Sequence, residues 1–425
     1  MNPLKPNMIN WIFYYDFLLS TFVSSVLVIN DLHNHYMINK IRFEDTKVLG
    51  YWAINYCLIS FPIGMLIANI LIGRLSVNTL YRQYVKKPIV SVLSHKDSSM
   101  KIVLYGFALV SSISLIVMFI KFGDVPLFKA IMGANFKALA QDRISISRIN
   151  DGSQLFFNFF AKDLPVFITF IFYSYYRQTS SKQDKFWFYY MLVFTFLSLT
   201  YDLSKAPIVF FVIGLFMNKI YIDGKTNVLK FLKIFLIAFL LLIFGYIVLS
   251  GSSYNELFGD INNGILGRIF LSQSAGFYLM LEYFQNSVDQ IGFSSFSQIL
   301  ATFFDTEYSD RAARILVYNY DLVGIEDGTA GVINSLFIGE AFANFGIWGI
   351  LIAPLYVGFI IQLLYKTMLR LPKTPIYLGY LTYFSYKSCI NGGFNDYFYN
   401  PNFIMITIFT FSIILIAKSL RLNRP

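Results

Sequence analysis

The chain has 425 residues, 56% of them hydrophobic, 19% aromatic and only 14% charged, with a mean hydropathy of +0.58. An ordinary soluble domain carries about 25% charged residues and is excluded; the apolar runs are continuous rather than alternating, which excludes a strand barrel. The net charge of +10 falls mostly in short basic loops, as the bias toward lysine and arginine on the cytoplasmic side of a membrane requires, so the bilayer and not nucleic acid is the expected partner.

The expected fold is all-α: a single polytopic membrane domain over 1–425, with about ten spans of a length suited to a roughly 30 Å hydrocarbon layer. The first run, about 11–29, lacks a small-x-small cleavage site and reads as a retained helix. A second follows at 50–73. The loop 74–101 carries Arg74, Arg82, Lys86, Lys87, Lys96 and Lys101 against one acid, Asp97. The third span is 102–120, and residues 121–154 form the first large loop. Spans four to six are 155–176, 186–201 and 205–219, with Arg177, Lys182 and Lys185 between the first two. Four lysines lie in 219–233, ahead of a seventh span at 233–250. The second large loop, 251–343, holds three arginines and eleven acids. Spans 344–365, 375–390 and 402–417 complete the set, with Lys366, Arg370 and Lys373 between the first pair and Lys418, Arg421 and Arg424 at the tail. Every basic loop then falls on one side together with both termini. That side is cytoplasmic, and the two large loops face outward.

Outward arginines have no topological cause. In QDRISISRINDG (Gln141–Gly152), Arg143 and Arg148 pair with Asp142 and Asp151, touch lipid phosphates, or form an anion site at the outer membrane surface. YDLSKAP (Tyr201–Pro207) joins two short spans, so Asp202 and Lys205 sit near the membrane boundary, paired with each other or with Lys205 meeting a phosphate at a helix start. Lys162–Asp163 marks a membrane edge, with the lysine reaching outward. In the second loop, 269–284 is apolar enough for an amphipathic or partly inserted helix. Arg311 and Arg314 share a face if SDRAARILVY (Ser309–Tyr318) is helical. They form either a salt-bridged surface helix or a fork pair for a diphosphate. Arg268 is an interface anchor or a further phosphate contact. Glu340, just before a span, is a candidate general base or a carboxylate bonded to a neighbouring arginine.

Several chemistries lack their residues. The two cysteines, Cys57 and Cys389, form no metal or disulfide pattern, and the histidines are only His33, His35 and His95. No HExxH, P-loop or nucleophile elbow occurs. Outward basic groups, a few carboxylates and aromatic-rich loops suit a lipid-linked diphosphate substrate.

The chain resembles the Wzy-type polymerases of O-antigen and capsule repeat units in GDVPLF (Gly123–Phe128) with the following DRISISR, in LSKAPIVFFVIGL (Leu203–Leu215), in IGEAFANFGIWG (Ile338–Gly349), and in its two large outer loops. The resemblance implies glycosyl transfer at the outer face of a bacterial cytoplasmic membrane, between undecaprenyl-diphosphate-linked donor and acceptor glycans. It implies no metal or cofactor, with a flippase and a chain-length regulator as neighbours. For that reaction the outward basic residues Arg143, Arg148, Lys205, Arg311 and Arg314 are expected to hold the diphosphate, with Arg268 in support. The base is Glu340, with Asp305 in reserve. A lipid-linked oligosaccharide flippase and an O-antigen ligase are the alternatives; the ligase would need a histidine in the large outer loop, which this chain lacks.

Overall fold

The computed structural model describes residues 7–73, 75–91, 97–147, 156–204, 206–224, 255–259, 262, 264–286, 288–326, 333, 335–387 and 392–422, with isolated positions between 233 and 243. Among these residues every regular element is helical and no strand occurs. Six stretches of the described residues are long and apolar enough to cross a membrane. They are α1 (Met8–Ile29), α2 (Glu44–Leu71), α4 (Ser98–Phe122), α9 (Ala206–Asp223), α16 (Ile347–Arg370) and Phe394–Leu420, most of which is α18 (Pro401–Leu422). The span expected at 233–250 lies mostly outside the described residues.

Three other expected spans are also helices, but shorter or more polar. They are α7 (Leu164–Thr179), α8 (Lys182–Thr200) and α17 (Pro375–Lys387). Helix α7 is buried at every residue from Leu164 to Phe172. A helix apolar on all sides belongs inside a bundle, and α7 sits there, packed by α8, α9 and α17. Helix α8 starts where sequence directs it. Ser181 caps it by accepting from the Asp184 N–H, and Asp184 lies in the first turn, at the favourable end of the helix dipole.

Helices α2 and α16 run parallel in close contact. A Cβ on Gly64 would lie 2.0 Å from the Leu355 carbonyl oxygen, and one on Gly358 would lie 2.2 Å from that of Phe61. Only glycine permits this approach, and in lipid such close packing replaces the hydrophobic drive between helices. Polar bonds run along the same seam. Tyr56 donates to the Leu351 carbonyl (3.0 Å), Gln362 to Asn69 (3.1 Å), and the buried Lys366 ammonium to the carbonyls of Asn69 (3.1 Å) and Gly73 (2.8 Å).

One end of the bundle gathers the basic loops. There Lys101 pairs with Asp184 (2.7 Å) and Arg177 with Asp223 (3.0 Å). Lys373 donates to Val85 at the end of α3 (Val77–Lys86; 3.0 Å) and to Ile222 at the end of α9 (2.9 Å). One ammonium thus satisfies orphan carbonyls of two helices.

The opposite end carries short helices: α5 (Pro126–Ile131) and α6 (Phe136–Ser147) of the first large loop, and most of the second large loop. In that second loop α10 (Ile265–Phe270) leads into α11 (Ser272–Asn286). The apolar 269–284 stretch is not laid on a surface. Phe277, Tyr278, Leu279, Met280 and Leu281 are fully buried, between α2 and α15 (Leu336–Phe345). The Tyr278 ring lies over Gly50 of α2, and Met280 and Phe277 lie against Gly339 of α15. Glu282, also buried, accepts from the Arg42 N–H (2.9 Å) and the Thr46 hydroxyl (2.6 Å), tying the loop to the start of α2. Two further short helices follow, α12 (Gln298–Phe303) and α13 (Ala312–Tyr320), and then α14 (Leu322–Glu326).

Candidate functional site

Three of the singled-out residues, Arg311, Arg314 and Glu340, come together within the second loop. Arg311 is the extended residue that starts α13. Glu340 lies mid-way along α15, whose residues from Leu336 to Asn344 are all buried. The Arg311 guanidinium forks onto it, Nε to Oε1 at 2.7 Å and Nη2 to Oε2 at 2.8 Å. This parallel geometry is the strong form of the pair. The remaining Nη1 donates to Asp396 Oδ1 at 3.0 Å. Asp396 belongs to a short turn, Phe394–Tyr397, between α17 and α18. From the same turn the Asn395 N–H donates to Glu340 Oε2 at 2.9 Å, and the Asn395 side chain bonds Asn344 (2.9 Å) and the Ser295 carbonyl (3.1 Å).

One arginine between two carboxylates leaves the trio at net −1 (+1 −1 −1). Burial alone would lower the Arg311 pKa. The hydrogen bonds and charges of Glu340 and Asp396 more than reverse that and hold it above its ordinary value. Arg314, one turn on, is exposed. Its Nε donates to the Tyr318 hydroxyl (3.0 Å) and its Nη1 stands 3.6 Å from Asp310; these two neighbours raise its pKa further.

Gly393 makes the arrangement possible. A Cβ there would lie 1.9 Å from Arg311 Nη2 and 2.2 Å from Glu340 Oε2. Gly393→Ala is expected to destabilise the protein by about 1–3 kcal/mol through overpacking, read as a lower thermal midpoint in detergent. An unchanged midpoint would mean that the fork has room to move.

Two cavities meet at this turn. A polar one of about 400 Å³ is lined by Arg311, Arg314, Asp310, Glu340, Tyr308 and Asp396. An apolar groove of about 550 Å³ runs between α16, α17 and α18, against Ile361, Leu364, Phe384, Phe403 and Ile408. Gly392, Gly393 and Asp396 line both. Lys387, the last residue of α17, also lines the groove and pairs with the buried Asp163 at 2.9 Å. Beside it the Lys162 ammonium lies over the Tyr201 ring, 5.0 Å from its centroid.

The other singled-out residues lie elsewhere. Arg143 is exposed on α6, Arg268 is exposed on α10, and Asp305 is exposed at a positive φ of 54° after α12. None of the three lines either cavity. Arg148 and Lys205 lie outside the described residues, so the pairing of Asp202 with Lys205 does too. Sequence reasoning passed over Asp396, Asn395, Gly393 and Lys387. The available signal was GGFND (Gly392–Asp396), turn residues with a carboxylate between two apolar runs.

Fold and site together define an all-helical protein whose long helices suit a membrane, with a charged pocket opening onto an apolar groove. No protein-family model matches the chain, and neither a curated protein nor a solved structure matches it.

Proposed function

We propose that the chain is a membrane glycosyltransferase that polymerises undecaprenyl-diphosphate-linked oligosaccharide repeat units into O-antigen or capsule. The observation that carries this reading is the seam at Gly392–Asp396, where an apolar groove between helices meets a pocket of arginines and carboxylates. A molecule filling both is an amphiphile, with a long apolar chain beside α18 and a polar, anionic head under α13. A prenyl diphosphate bearing a glycan has that form.

In this reading the chain crosses the bacterial cytoplasmic membrane about ten times, with both termini cytoplasmic and the loops 121–154 and 251–343 outside. Supporting it, Lys101, Arg177 and Lys373 gather at one end of the bundle and the arginine pocket lies at the other. Arg311 and Arg314 meet the diphosphate, stabilising the negative charge that grows as it departs. Arg143, Arg148, Lys205 and Arg268 are assigned the same charge from neighbouring segments. The diphosphate is already an activated leaving group, so the acceptor hydroxyl needs only a base and an aligned anomeric carbon.

Deleting the gene and examining surface polysaccharide on a gel tests this. The expected result is single repeat units on their carrier without a ladder. Loss of all surface sugar instead points to a flippase or ligase and overturns the polymerase reading.

A further inference from the structure

We infer that Asp396, rather than Glu340, takes the proton from the acceptor hydroxyl, and that Arg311 and Glu340 position it. The inference rests on the polymerase reading above. The two carboxylates differ in what they have left to offer. Glu340 is 0% exposed. Its Oε1 accepts from Arg311 Nε and its Oε2 from both Arg311 Nη2 and the Asn395 N–H. An ionised carboxylate has about four acceptor positions, so three are taken inside a packed helix. The one position left belongs to a side chain that is fully buried.

Asp396 is held and open at once. Its side chain is 38% exposed, with Oδ1 on Arg311 (3.0 Å) and Oδ2 3.3 Å from the Gly393 N–H. Among the described residues it is the ionisable one that lines both cavities. In an amphiphile bridging them, the apolar chain gives way to the diphosphate near this turn, and the bond from the diphosphate to the first sugar lies just beyond it, inside the polar cavity that Asp396 also lines. The other open carboxylate of the polar pocket, Asp310, lines only that cavity and stands 3.6 Å from Arg314.

The acceptor oxygen forms its bond to the anomeric carbon as its proton moves to the open lone pair of Asp396. The bond from anomeric carbon to phosphate oxygen breaks, and the diphosphate leaves with that electron pair toward Arg314. Arg311 keeps its fork on Glu340 throughout, so the carboxylate of Asp396 stays aimed.

The test uses purified full-length protein in liposomes and the lipid-linked glycan extracted from a deletion strain. Initial polymerisation rate is measured beside affinity for undecaprenyl diphosphate. For Asp396→Asn the expected rate falls at least ~100-fold, the scale of a lost general base, while affinity stays within about threefold of the parent. Asp396→Glu regains part of the rate. The assignment is overturned by an Asp396→Asn rate within tenfold of the parent, and equally by rate and affinity falling together, which marks a binding or structural role. If the parent protein makes no polymer while binding the lipid, the polymerase reading fails instead, so the two failures are distinct.

Discussion

Replacing Arg311 by methionine is expected to abolish polymer and to destabilise the fold by about 3 kcal/mol. Breaking a buried ion pair costs roughly 3–5 kcal/mol because the abandoned charge stays in a low-dielectric site. Here that charge is Glu340, whose side chain is 1% exposed. The lower end of the range applies because the Arg311 side chain is itself 38% exposed, and water takes over part of its role. Asp396 simply hydrates. The double variant Arg311→Met with Glu340→Leu removes both charges and is expected to recover much of the stability and none of the activity. Recovery stays incomplete because the Asn395 N–H then lacks its acceptor, worth about 1–3 kcal/mol. Thermal unfolding in detergent and a gel of surface polysaccharide read the two effects separately. A single Met variant as stable as the parent would show that Glu340 is not held in place by Arg311.

The second large effect lies far from the pocket. Gly64→Leu and Gly358→Leu are each expected to reduce the amount of folded protein in membranes severely. The atoms a side chain would meet are backbone carbonyls of the facing helix, at 2.0 and 2.2 Å, and backbone does not yield as a side chain does. Overpacking in a well-packed core costs about 1–3 kcal/mol, occasionally more. Pushing α2 from α16 also strands the polar groups of Tyr56, Gln362 and Lys366 along the seam. Gly106→Ala is the control: nothing lies within 4 Å of a Cβ there, and alanine favours the helix by up to about 1 kcal/mol. Equal membrane levels of all three variants would sink the close-packing account.

Helices were legible because a run of apolar residues without charge has few other fates in a membrane protein. The number able to cross was less so. Helices α7 and α17 fill the interior of the bundle, where partners rather than lipid set the required length and hydropathy, whereas α8 buries only one face. Apolarity at 269–284 was visible, but not its destination. A helix greasy on every face tells that it is buried, not whether in lipid or in protein; glycines 50 and 339, distant in sequence, make the berth. Arg311, Arg314 and Glu340 stood out because charges beside apolar runs are conspicuous. Asp396 and Gly393 did not, since each gains meaning only from residues some 50–85 positions away (|i−j| of 55 and 85 in the bonds of their turn). Charge pattern along the chain also made Arg143 and Arg268 equal to Arg311, whereas in space they line neither cavity.

The burial of α11 between α2 and α15 has a consequence for engineering. The long loop is not an interchangeable attachment whose loss leaves a silent but intact scaffold. Its middle helix serves as a keystone for the helices on either side. A chimera that imports this loop from another chain must bring along matching surfaces around Gly50 and Gly339, or the transplanted segment has no socket.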